Sequence, residues 1–265
     1  MARHTILSLQ KLKRDGEKIA CLTAYDASFA AQAERAGVDV LLVGDSLGMV
    51  VQGQDSTLPV TLDEMIYHSA SVRRGAPDSL LIVDLPFMSC NNPQQTLASA
   101  GRLMKEGGAH VVKLEGGASM VESVALLARH GIPVCGHLGL LPQSVHKLGG
   151  YRVQGRSEAE AERMLRDAQA LEQAGADLLV VECVPAALGE RLSQALSIPV
   201  IGIGAGAGCD GQVLVLYDML GITPGKMPVF ARNFLRGRDS VAAAMTAYVE
   251  AVKGGAFPAP EHGFD

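Results

Sequence analysis

Val38-Asp39-Val40-Leu41-Leu42-Val43-Gly44-Asp45-Ser46-Leu47-Gly48 is a short β-branched and leucine run that stops on a glycine, a carboxylate and a hydroxyl. Unbroken apolar character over so few residues marks a strand buried on both faces, the habit of parallel sheets, with its polar tip facing a ligand. The pattern recurs four times downstream. Leu80 to Val83 runs into Asp84, Val111 to Leu114 into Glu115, Ile132 to Cys135 towards His137, and Leu178 to Val181 into Glu182. Each strand tip thus carries a side chain able to bind a metal or move a proton.

Helix signals fill the intervals. Ile6, Leu7, Leu9 and Leu12 within Thr5 to Arg14 predict an amphipathic helix that would cover the bottom of a barrel. After a first strand at Ile19 to Ala24, Asp26 caps a helix that stops at Gly37 and has no other expected role. Thr61-x-x-Glu64, Ser119-x-x-Glu122 and Ser157-x-x-Glu160 have capping-box spacing, and Asn92-Pro93 is a cap followed by proline at the first helical position. Gly75, Gly107-Gly108, Gly131 and Gly175 close the corresponding helices. Pro185 opens another helix, Pro199 to Ile203 is a seventh strand, and Val213 to Tyr217 reads either as an eighth strand or as a helix. Asp239 to Val252 predicts a last helix, followed by an extended tail from Gly254 to Asp265.

Two irregular stretches stand out. Gly48 to Pro59 is a glycine-containing loop, and Gly139 to Arg156 is longer than barrel topology needs, as in loops that cover a ligand. No linker divides the chain, so residues 1–265 read as one domain, and βα units of about thirty residues fit a (β/α)8 barrel better than an open sheet. A barrel points every strand end to one mouth.

Composition narrows the function classes. With 28 acidic residues against 23 Lys and Arg and no run of like charge, a nucleic-acid partner is not expected. Five cysteines without CxxC spacing point to a reducing, cytoplasmic compartment. The start of the chain, Met1 to Asp15, alternates basic and apolar residues without the apolar core of a signal peptide, and no apolar run is long enough to span a bilayer. A soluble protein with a small-molecule ligand is the reading.

At the mouth, Lys113 and Glu115 are two apart and share a face. Asp45, Asp84 and Glu115 would converge from consecutive strands as an all-oxygen set suited to Mg²⁺, whereas zinc lacks His or Cys pairs at its spacing. Lys113 among acids reads equally as a structural ion-pair partner, an acid after a strand often caps the next helix, and a lone His137 is commonly a hydrogen-bonded core residue. Acids, Lys113, His137 and Glu182 at equivalent positions of successive units favour an active site. Gly202-Ile203-Gly204-Ala205-Gly206 is not a dinucleotide fingerprint, because it follows a late strand; its glycines allow either close approach of a ligand or a tight turn.

The motifs Thr23-Ala24-Tyr25-Asp26, Val43-Gly44-Asp45-Ser46-Leu47-Gly48-Met49, Asp84-Leu85-Pro86-Phe87, Lys113-Leu114-Glu115-Gly116-Gly117, Gly136-His137-Leu138-Gly139 and Glu182-Cys183-Val184-Pro185 resemble the ketopantoate hydroxymethyltransferase family. The resemblance runs from about Thr5 to Phe264, with conservative differences such as Arg152 where lysine is common. It implies a barrel of the phosphoenolpyruvate/pyruvate-like superfamily assembled as a homodecamer. The implied reaction is transfer of a hydroxymethyl group from 5,10-methylenetetrahydrofolate to 3-methyl-2-oxobutanoate, in pantothenate biosynthesis. On matching motifs, Asp45 and Asp84 would hold Mg²⁺ with Glu115 as a direct or water-mediated ligand, Ser46 and Lys113 would bind the ketoacid, and Glu182 would be the base. His137 would touch the ketoacid or the new hydroxyl. A Mg²⁺-dependent carbon–carbon lyase or phosphomutase of the same superfamily, and a non-catalytic ligand-binding barrel, remain the alternatives.

Overall fold

The computed structural model describes residues 4–265; Met1 to Arg3 of the basic, apolar start lie outside the described residues. Eight parallel strands close a barrel in chain order: β1 (Ile19–Thr23), β2 (Val40–Val43), β3 (Leu80–Asp84), β4 (Val111–Glu115), β5 (Val134–Gly139), β6 (Leu178–Glu182), β7 (Val200–Ile203) and β8 (Gly211–Leu214). β8 returns to pair with β1, so no strand edge is left open. The strands lack polar alternation because both faces are buried. Leu42, Ile82, Val111, Cys135 and Val180 fill the inside of the barrel, while Leu41, Val83, Val112 and Val181 pack under the surrounding helices. Fully burying one such side chain stabilises the fold by about 1.5–3 kcal/mol.

Most helix starts follow the sequence signals. Asp26 Oδ1 accepts from the backbone N–H groups of Ser28 and Phe29, and the boxes Thr61/Glu64 and Ser157/Glu160 are both reciprocal. Asn92 caps a helix that begins at Pro93. Each of these caps stabilises its helix by about 1 kcal/mol. The helix Ile6–Asp15 inserts the fully buried Leu9 into the interior cluster at the barrel floor. Its Lys13 ammonium meets Asp210 at 2.7 Å and the carbonyls of Ser193 and Ile198.

Four expectations need correction. Ser119 and Glu122 form no capping box: Ser119 is inside a 3-10 turn, Ala118–Met120, so its hydroxyl never reaches the cap position of the helix Val121–Arg129. Asp167 accepts from the Ala118 N–H instead. Val213 to Tyr217 is both elements, ending β8 at Leu214 and opening the helix Leu216–Leu220. The loops after β2 and β5 contain helical turns at Leu47–Val50 and at Pro142–Ser144 with Val145–Leu148. The tail is folded back: Phe257 is buried edge-on against Phe234 and Tyr248, and the Phe264 carbonyl accepts from Ala186 N–H. Apolar area, absent from a Gly/Pro reading of the tail, supplies that anchor. Among the described residues no helix is long and apolar enough to cross a membrane.

Candidate active site

Strand register assembles the site. Asp84 on β3 lies opposite Lys113 on β4, and Glu115 on β4 lies opposite His137 on β5. Side chains alternate along a strand, so residues an even number of places after the interior Ile82, Val111, Cys135 and Val180 also point inward. Asp84, Lys113, Glu115, His137 and Glu182 are those residues, and they converge at the carboxyl-terminal mouth.

Lys113 Nζ sits 2.6 Å from Asp84 Oδ1, both side chains buried. The other Asp84 oxygen accepts from the Asp45 backbone N–H at 3.1 Å, so the tip of β2 is tied to the tip of β3. Burial, reinforced by the Asp84 and Glu115 carboxylates, raises the Asp45 carboxyl well above its ordinary range. Burial disfavours charge on Lys113, yet Asp84, Glu115 and Asp45 outweigh it and raise its pKa. Three acids thus crowd around one ammonium in this buried cluster.

His137 bridges two of the acids. Its Nδ1 is 3.5 Å from Glu115 Oε1 and its Nε2 is 3.1 Å from Glu182 Oε2, at ion-pair range but without hydrogen-bond alignment. Burial and nearby Lys113 oppose a charge on the ring; the two glutamates override them and raise its pKa to about 9. His137 thus stands between two acids of the mouth rather than as a hydrogen-bonded core residue. Ser46 Oγ shares a 2.9 Å hydrogen bond with the buried Tyr25 hydroxyl.

The cavity at this mouth has a volume of about 590 Å³ and takes in Asp45, Ser46, Asp84, Lys113, Glu115, His137 and Glu182. All of the site residues read from the sequence are thus brought together. Three further residues at this mouth were not singled out as site residues in the sequence: Gln143, Tyr25 and Asp218. Gln143 donates to Asp45 Oδ2 and to the Leu85 carbonyl, and its backbone N–H donates to Glu115 Oε2. The length of its loop, Gly139 to Arg156, was the available signal. The glycines at 202–206 serve turning and packing: Gly204 at φ +60° lies where a side chain would meet Phe230 and Phe264 at 3.0 Å.

A closed parallel barrel with acids, a lysine and a histidine at the carboxyl-terminal strand ends defines a (β/α)8 enzyme. Solved barrels of the same fold include 2,3-dimethylmalate lyase, a PEP mutase/isocitrate lyase superfamily member (TM-score 0.59, 19% identity, covering 82% of each chain). Phosphoenolpyruvate phosphomutase from Streptomyces platensis subsp. rosaceus (TM-score 0.62, 15% identity, 82% of this chain and 83% of that one) is another. A third is phosphonopyruvate hydrolase, in a complex with oxalate and Mg²⁺ (TM-score 0.61, 12% identity, 81% of each chain). These likenesses show the fold alone.

Sequence carries the identity further. The model of the ketopantoate hydroxymethyltransferase family matches residues 3–260. The 3-methyl-2-oxobutanoate hydroxymethyltransferase of Halorhodospira halophila (strain DSM 244 / SL1) is 61% identical over 98% of this chain and 94% of its own. That of Nitrosococcus oceani is 62% identical over 97% and 98%. The chain belongs to the ketopantoate hydroxymethyltransferase family and is a transferase, which retires the lyase, phosphomutase and non-catalytic readings.

Proposed function

We propose that this enzyme converts 3-methyl-2-oxobutanoate, 5,10-methylenetetrahydrofolate and water into 2-dehydropantoate and tetrahydrofolate. The observation that carries the reading is the meeting, in one cavity, of the Asp45–Asp84–Lys113 cluster with Glu182 on the far side of His137. A 2-oxoacid needs both: a cationic anchor for its two oxygens and a base at C3.

The donor set fits Mg²⁺. It is all oxygen, and the elevated pKa of Asp45 marks a place where added positive charge is favourable. Asp45 and Asp84, joined through the Asp45 N–H, would hold the ion. Glu115 is turned towards His137 and Gln143, in keeping with a contact through water; among the described residues no three His, Cys, Asp or Glu side chains stand preassembled for a metal. When bound, the ion would withdraw electron density from the ketone and acidify the C3–H bond.

The chain's own residues do the rest. Lys113 and the Ser46 hydroxyl would bind and orient the ketoacid carboxylate. Glu182 would take the C3 proton, with His137 Nε2 standing 3.1 Å from its carboxylate. C3 then bonds to the one-carbon unit, water supplies the hydroxyl oxygen, and tetrahydrofolate departs. The test is proton exchange: 3-methyl-2-oxobutanoate is incubated with enzyme and Mg²⁺ in D₂O without folate, and the C3–H signal is followed by NMR. Mg²⁺-dependent loss of the signal is expected. No exchange above the enzyme-free rate counts against the reading.

A further inference from the structure

Much of the cavity wall takes no part in activating the ketoacid. A substrate of eight heavy atoms fills a small share of about 590 Å³. Part of the remaining wall comes from the segment after β8 and from the folded tail, and includes Asp218, Thr223, Lys226, Phe230 and Phe264. Asp218 is the anomaly there. It is 5% exposed, its Oδ1 accepts a hydrogen bond from Thr223 Oγ1 at 2.6 Å, and burial holds its carboxyl above the ordinary 3.8. Among the described residues no cation pairs with it and no helix N–H is capped by it.

A buried carboxyl without a cation is costly. Tying down Thr223 does not justify that cost, since an asparagine would accept the same hydrogen bond. A ligand that brings two donors to the carboxylate does justify it. The carrier in the proposed reaction has such an edge: the 2-amino group and N3–H of its pterin lie side by side, at the spacing a carboxylate accepts in two parallel hydrogen bonds. Phe230 and Phe264 provide apolar surface for a flat ring. The other end of the carrier is anionic. Arg152 and Lys226, exposed at the rim, supply opposite charge there.

We infer that Asp218 recognises the pterin edge of the tetrahydrofolate carrier, which enters with its pterin inward and its glutamate tail towards Arg152 and Lys226. The inference rests on the folate reading above and adds the group that selects the carrier.

The test is a cycle between residue and ligand. Tetrahydrofolate and an analogue lacking the 2-amino group are titrated calorimetrically into the full chain with Mg²⁺ and 3-methyl-2-oxobutanoate present, for the wild type and for Asp218→Asn. The wild type is expected to bind the analogue roughly tenfold or more weakly than tetrahydrofolate, the size of a lost charge-assisted hydrogen bond. Asp218→Asn is expected to weaken tetrahydrofolate comparably and to bind both ligands about equally. Equal weakening of both ligands by Asp218→Asn overturns the inference, as does equal binding of both by the wild type. The second comparison needs no variant and decides the matter if Asp218→Asn does not fold. If the wild type binds the ketoacid but not tetrahydrofolate, the folate reading falls and this inference falls with it.

Discussion

Gln143 Nε2 donates to Asp45 Oδ2 at 2.8 Å, while the Gln143 backbone N–H donates to Glu115 Oε2 at 3.1 Å. One residue of the loop after β5 therefore fixes acids from the tips of β2 and β4. The remaining amide hydrogen is spent on the Leu85 carbonyl at 2.9 Å, so the side chain has little freedom to swing. Gln143→Leu keeps the volume and removes the donor. We expect Mg²⁺-dependent ketoacid binding to weaken roughly tenfold, from loss of a hydrogen bond to a charged group. Calorimetric titration of ketoacid at fixed Mg²⁺ measures it, and wild-type affinity would show that Asp45 needs no such support.

Glu182 and the metal-binding cluster belong to different strands, so their contributions can be separated. Glu182→Gln leaves Asp45, Asp84 and Lys113 in place but removes the base. C3–H exchange is expected to fall by roughly 10²–10⁴-fold with ketoacid affinity nearly kept, the signature of a group acting in the transition state. Exchange at near the wild-type rate would move the base elsewhere.

The strand tips were legible in the sequence because a strand buried on both faces has no polar residue until it ends, so Asp84, Glu115 and Glu182 announce both strand end and mouth. Closure in chain order followed from the repeated unit. Val213 to Tyr217 was ambiguous for a physical reason: the chain changes from strand to helix at Val215, and an apolar run of that length carries neither period. Ser119 and Glu122 had the right spacing in the wrong place, since a 3-10 turn displaced the cap. Gln143 was legible only through the length of its loop, and Asp218 not at all. Gln143 meets Asp45, far away in sequence, and Asp218 lines a cavity whose other walls come from distant strands.

The barrel floor sets part of the acid stability. Asp39 is buried, with Oδ1 3.1 Å from His4 Nε2 and Oδ2 bound by Lys253 Nζ at 2.5 Å and by the Ala20 N–H at 2.9 Å. Burial raises its carboxyl, but these partners prevail and its pKa lies below 3.8. A folded-state pKa below the unfolded value contributes stability at all pH values above about 3.8 and loses it as pH falls through the folded value. Lys253→Met should raise that pKa, start acid unfolding at a higher pH, and cost about 1–3 kcal/mol at neutrality, a figure reduced because Lys253 is one-third exposed. Urea midpoints between about pH 3 and pH 7 measure both effects. An acid limb superimposable on the wild type would exclude the pair as its source.

The carbonyl of Glu182 is the closest neighbour of Gly139. Gly139 has φ +92°, and a Cβ there would lie 2.1 Å from that oxygen, which also accepts from the Leu140 N–H at 2.8 Å. The next residue, Cys183, is held at φ +48°, so the backbone around the proposed base is constrained on both sides. Gly139→Ala must push β5 and β6 apart at the mouth, and the shift moves the Glu182 carboxylate relative to C3 of the ketoacid. A 1 Å displacement of a reacting group is enough to lose about 10²-fold in rate. We expect exchange to drop at least roughly tenfold, and stability to fall by about 3 kcal/mol from clash and left-handed strain together. Gly131→Ala separates the two causes, because Gly131 has φ +71° with nothing within 4 Å of a built Cβ, at the end of an outer helix. That variant should cost about 1 kcal/mol and leave exchange intact. If the two alanine variants lose stability equally and both keep exchange, the close approach of Gly139 to Glu182 has no part in placing the base.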